Sequence, residues 1–75
     1  MKDEYYKVVG TFLKMKRLEK GVSINETAIA LGHAKSWYYD IEIGRNRLYL
    51  KECIELCSYF NTDLKELQDY LENSN

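Results

Sequence analysis

Residues 21–44 read GVSINETAIALGHAKSWYYDIEIG, and this stretch decides the fold. Ser23-Ile24-Asn25-Glu26 is a capping box. The Ser side chain accepts from the backbone N–H three residues on, and the Glu reaches back to the Ser N–H. A short helical run follows and stops at Gly32, because glycine tolerates the positive φ that closes a helix. A second helical run ends at Gly44 in the same way. The spacing therefore predicts two short helices joined by a tight turn.

Two helices joined in this way form a helix-turn-helix, spanning about residues 24–43, a geometry that delivers its second helix into a DNA major groove. Helical periodicity extends on both sides. A first helix is expected over about Asp3 to Lys20, with Val8, Val9, Phe12, Leu13 and Met15 as its apolar stripe. Gly10 costs this helix about 1 kcal/mol of propensity against Ala, which a close approach by another helix would explain. The second helix, to Leu31, turns Ala28 and Leu31 inward with Ile24 or Thr27 at its edge, and the third, Lys35 to Ile43, buries Tyr38 and Ile41. A fourth is expected over Leu50 to Phe60, with Leu50, Cys53, Ile54, Cys57 and Phe60 inward. Asp63 with Glu66 opens a fifth, carrying Leu64, Leu67, Tyr70 and Leu71, and the tail from Glu72 to Asn75 is expected to fray.

The 75 residues contain no Pro, and no strand-like alternation interrupts the helical pattern. The expectation is one all-α, compact five-helix domain over residues 1–75. No apolar run reaches the roughly 18 residues of a membrane span, and no signal-peptide pattern opens the chain, so a soluble, cytoplasmic and nucleoid-associated protein is expected. Cys53 and Cys57 are four apart in an apolar stretch, with no second Cys pair and the only His, His33, far away. Core packing is the reading for both thiols, and no metal or other cofactor is expected. No nucleophile–base pair or phosphate-cradling Gly loop is present, which argues against an enzyme.

Net charge is only −1, but it is unevenly distributed. From Lys7 to Lys51 nine Lys and Arg face four carboxylates, whereas from Glu52 onward six carboxylates face Lys65 alone. One face for phosphates and another turned away from them would account for this. Uneven scatter is common in small helical proteins, and on charge alone the two readings stand even.

The chain resembles the Cro/CI-type (XRE-like) helix-turn-helix family, with the lambda repressor-like fold. The resemblance rests on Gly10, Arg17, Lys20-Gly21-Val22-Ser23, Ala28, Leu31-Gly32, Ser36, Ile41-Glu42, Gly44-Arg45, Leu50 and Asp63-Leu64-Lys65-Glu66-Leu67, in register from about Val9 to Leu67. It implies a dimeric repressor that reads double-stranded operator DNA. It also implies a buried ion pair between Arg17 and Glu42. Lys35, Ser36 and Asp40 fall at the family's base-reading positions, and Arg45, Asn46 and Arg47 in its backbone-gripping loop. Ala34 is placed for a thymine methyl, and Tyr39 for a phosphate or base edge.

The departures are specific. Ile24 stands where the family commonly has Gln, so phosphate anchoring falls to Ser23, Asn25 and nearby N–H groups. Tyr38 replaces an aliphatic core residue, and its hydroxyl needs a partner if buried. Ala34 is a weak N-cap where Ser or Thr is usual, and Asp40 has the wrong sign for phosphate. Trp37 and Tyr38 are expected to complete a small core, and His33 to be structural or solvated. Tyr59, Leu67, Tyr70 and Leu71 are the expected homodimer patch. An alternative on the same fold is a protein-interaction module, an antirepressor or adaptor with a protein partner; Ile24, Asp40 and the acidic C-terminal part motivate it.

Overall fold

A computed structural model describes residues 2–74, with the side chains of Lys2 and Asp3 left aside; Asn75 of the expected tail lies outside the described residues. Five helices run in order: α1 Lys2–Lys20, α2 Ile24–Ala30, α3 Lys35–Glu42, α4 Leu50–Tyr59 and α5 Leu64–Asn73. The domain is all-α, as the periodicity predicts.

The local signals explain where the helices begin. At α2, Glu26 N donates to Ser23 Oγ at 2.9 Å and Ser23 N donates to Glu26 Oε1 at 2.8 Å, a complete capping box. At α5, Glu66 N donates to Asp63 Oδ1 at 2.9 Å. That cap is only half reciprocal, because the Glu66 carboxylate turns instead to Lys16 and Thr62. α3 and α4 start from Ala34 and Tyr49, which make no side-chain cap bond. Those two helices are held by packing rather than by local capping.

α1 crosses α3 at very short range. A Cβ on Gly10 would stand 2.3 Å from the Glu42 carbonyl oxygen and 2.4 Å from that of Ile41. The glycine therefore lets the two backbones touch, which outweighs its propensity cost. Just past α3, Gly44 has a φ of +80° and lies against Lys7 of α1.

The core is Val9, Phe12, Leu13, Ala28, Tyr38, Ile41, Cys53, Leu56, Cys57, Phe60 and Leu67. Both cysteines lie in it as free thiols; the adjacent Cys53 sulfur and burial push the Cys57 thiol up. Several expectations need correction. Leu56 is fully buried, whereas Leu50 and Ile54 are 66% and 49% exposed. The buried stripe through α4 and its C-cap is thus Cys53, Leu56, Cys57 and Phe60: three of the expected residues hold, Leu56 joins them, and Leu50 and Ile54 face outward. Of the two edge candidates in α2, Ile24 is the half-buried one, whereas Thr27 is buried, with its hydroxyl donating to the Ser23 carbonyl at 3.0 Å. Met15 and Leu64 lie at the surface. The expected fraying tail is helical through Asn73, and Ser74 Oγ donates back to the Tyr70 carbonyl at 2.7 Å.

Candidate nucleic-acid interface

The turn between α2 and α3 is closed by His33 N–H donating to the Ala28 carbonyl at 2.9 Å. α3 is anchored on one side by Tyr38, Ile41 and Glu42, all buried. Its opposite side presents Lys35, Ser36 and Tyr39 to solvent, with Asp40 partly covered at the margin. Helical spacing places these four together, and Ala34 stands exposed just ahead of them.

The loop after α3 is tied to the same helix. The Asp40 carbonyl accepts from Arg45 N–H at 2.8 Å and from Asn46 N–H at 3.2 Å. Arg45 and Arg47 project into solvent, whereas Asn46 is half-buried. A groove beside them is lined by His33, Trp37, Tyr49 and Glu52. His33 and Trp37 stack with ring centroids 3.7 Å apart and planes within 11°. This stack ties the turn to α3, and it gives His33 a structural place. Glu52 contributes a carboxylate oxygen that is shielded from water and unpartnered among the described residues. Neither the stack nor the position of Glu52 was expected from the sequence. The His33–Trp37 spacing of four is a signal only within one helix, and here it spans a turn.

At the start of α2 the arrangement differs from the expected phosphate anchor. The Ser23 hydroxyl and N–H are both engaged by Glu26, which sets a carboxylate at that helix end. Asn25 is exposed, and Ile24 packs against the core.

Behind α3, Arg17 and Glu42 fix the helix to α1. Arg17 Nε donates to Glu42 Oε2 at 2.6 Å, and Nη2 donates to Oε1 at 3.3 Å. Nη1 donates to the Val22 carbonyl at 3.0 Å, so one guanidinium joins α1, the turn before α2, and α3. The Tyr38 hydroxyl lies beside this pair, out of water and without a hydrogen-bond partner among the described residues. Burial pushes its phenol far up, so it stays neutral.

The geometry is that of a packed helix pair with one solvent-facing polar helix surface. The profile of the helix-turn-helix domain family matches residues 8–69. The chain belongs to this family. No curated protein and no solved structure matches the chain. A helix-turn-helix domain is a DNA-binding scaffold, and α2 and α3 are its two helices.

The expected dimer patch of this helix-turn-helix domain is not one exposed surface. Leu67 is only 7% exposed and belongs to the core, because α5 turns that side chain inward against α1 and α4. Tyr70 is half-buried, its ring 5.3 Å from that of Phe12. Tyr59 lies under Lys20 Nζ at 4.9 Å from the ring centroid. Leu71 is half-buried in a groove with Tyr5 and Val8. Exposed apolar side chains include Tyr5, Leu18, Ile29, Tyr49, Leu50 and Ile54. Among the described residues no helix is long and apolar enough to cross a membrane.

Proposed function

We propose that this helix-turn-helix domain is a sequence-specific transcriptional regulator of Cro/CI type, a dimeric repressor that reads operator DNA with α3 in the major groove. One observation carries the reading. Lys35, Ser36 and Tyr39 share the outward face of α3 with Asp40, whose carbonyl anchors the Arg45–Arg47 loop to the same helix. Base-edge groups and phosphate-binding groups thus belong to one rigid unit.

The roles follow from side-chain chemistry. Lys35 donates to guanine O6 and N7, Ser36 pairs with either kind of base-edge group, and Asp40 accepts from cytosine N4. Ala34 contacts a thymine methyl, and Tyr39 reaches a phosphate or base edge. Arg45, Asn46 and Arg47 grip the backbone, with Asn25 and the Ser23 region as a lesser contact. Arg17 and Glu42 hold α3 in place. Dimerisation places two copies of α3 about one helical turn apart on a palindromic site, in a protein of the cytoplasm associated with the nucleoid. Tyr59, Tyr70 and Leu71 remain the dimer candidates, without Leu67.

The test is an electrophoretic-shift titration against a random-sequence duplex at two salt concentrations, followed by selection of bound sequences. Tight, salt-sensitive binding and a selected palindrome are expected. Absence of binding at low salt overturns the reading. A second reading, a protein-interaction module on the same scaffold, is favoured by Ile29, Leu50 and Ile54, which are 65%, 66% and 49% exposed. A stable partner captured in DNA-free extract, with no shift of any duplex, would select it.

A further inference from the structure

Asp40 is a carboxylate at the margin of a surface otherwise suited to an anion. Its surroundings give that charge a use. The main-chain carbonyl of Asp40 holds the Arg45 and Asn46 N–H groups, so the loop is placed whatever the side chain is. The carboxylate makes a separate contact, with Oδ1 3.4 Å from Arg45 Nη1. The Asp40 side chain is 24% exposed and that of Arg45 69%. Such a long, wet ion pair contributes little to folding. It does draw the Arg45 charge toward the carboxylate in the free protein.

We infer that Asp40 is a specificity-determining residue that acts through Arg45, holding that guanidinium in an internal pair for which DNA must compete. The inference rests on the DNA-binding reading above. When α3 approaches a duplex, the phosphates draw Arg45 away. The Asp40 carboxylate then faces the groove alone. A carboxylate that loses its water and its partner is costly unless a donor replaces them. The exocyclic amine of cytosine N4, or of adenine N6, is such a donor in the major groove. Where an amine is in reach, both charges are satisfied. Elsewhere Arg45 stays with Asp40, or the carboxylate stands unpaired beside phosphates. Discrimination comes from a cost placed on wrong sequences rather than from extra affinity for the right one.

The experiment compares the wild-type chain with Asp40→Asn, Arg45→Gln and the double variant. Each is titrated by fluorescence anisotropy with a random-sequence duplex between about 50 and 200 mM salt. Bound sequences are then selected from the same pool. Asp40→Asn keeps the main-chain anchor, and an unchanged melting curve verifies its fold. At low salt it should bind the random pool about twofold to fivefold more tightly, with a log–log salt slope steeper by about one phosphate contact. A purely structural role for Asp40 would not move that slope. In the Arg45→Gln background the gain should shrink and the extra slope should disappear, because no guanidinium is released, and the selected sites should lose one cytosine or adenine preference per half-site. Equal affinity and slope for wild type and Asp40→Asn overturn the inference, and so do a gain and a slope change that are undiminished without Arg45. If the wild type binds no duplex at low salt, the DNA-binding reading falls and the inference falls with it.

Discussion

Arg17 and Glu42 meet across the α1–α3 contact with Nε and Oε2 2.6 Å apart, their side chains 10% and 4% exposed. Two charges so far from water depend on each other. Removing one leaves the other buried and unpaired, at a cost of about 3–5 kcal/mol. Arg17→Met or Glu42→Gln should therefore lower the urea midpoint severely, whereas the pair replaced together by apolar residues of similar volume should recover much of the loss. A single substitution costing under about 1 kcal/mol would mean that water reaches the pair.

Gly10→Ala sets two effects against each other. Helix propensity favours Ala by about 1 kcal/mol. The added methyl, however, would meet the Glu42 and Ile41 carbonyl oxygens at 2.3 and 2.4 Å. These are backbone atoms, which cannot rotate away, so α1 and α3 must separate. Overpacking of this kind typically costs about 1–3 kcal/mol, and a net loss of stability is expected by thermal melting. A stabilised Gly10→Ala protein would show that the crossing is looser than this.

The same crossing indicates what was legible in the sequence. Gly10 announced a close approach because its cost inside a helix needed a reason. The Ser23–Glu26 box was legible because both of its hydrogen bonds close within four residues. Leu56 was not. For α4 the expected set 50, 53, 54, 57, 60 and the observed set 53, 56, 57, 60 both satisfy helical spacing, and only tertiary packing selects the second. The Arg17–Glu42 pair joins residues twenty-five apart, so no local pattern encodes it, and family resemblance supplied it. The Asp40–Arg45 contact needs the path of the loop through Gly44, which spacing alone does not provide.

Tyr38→Phe tests the cost of the orphan hydroxyl. The ring is fully buried, and its oxygen lies beside Arg17 and Glu42 without a hydrogen bond. A buried polar group left unpaired costs about 1–3 kcal/mol, so deleting it while keeping the ring should be neutral or stabilising. Chemical denaturation decides this. A loss above about 1 kcal/mol would mean that the hydroxyl does bond to the ion pair.

The Lys16–Glu66 pair ties α1 to α5 and should make that contact pH-dependent. Hydrogen bonds from Lys16 and then Thr62 hold the Glu66 carboxyl below its usual range, and the bond to Glu66 raises Lys16. A lowered carboxylate contributes stability above its unfolded value and loses it as pH falls through the folded value. A raised lysine contributes below its unfolded value and loses it as pH rises through the folded one. The melting temperature of Glu66→Gln should thus lie below that of wild type across neutral pH. The gap should close below about pH 4 and narrow again above about pH 10. It should also shrink in high salt, since Glu66 is exposed. A gap that is constant with pH would assign the effect to packing.

Lys35 and Arg47 are both exposed cations beside α3, and the proposed roles separate them. A base reader adds affinity only at its own base pair. Lys35→Ala should relax preference at one position of each half-site by about 1–3 kcal/mol, and leave binding to random duplex little changed. A phosphate contact adds the same affinity everywhere. Arg47→Ala should weaken selected and random duplexes alike, and reduce the salt slope by about one contact. Titration of both variants against the selected site, its single-position variants and the random pool distinguishes the two patterns. If Lys35→Ala also lowered random-duplex affinity and the slope, it would be a second phosphate contact, and base reading would pass to Ser36, Tyr39 and Asp40.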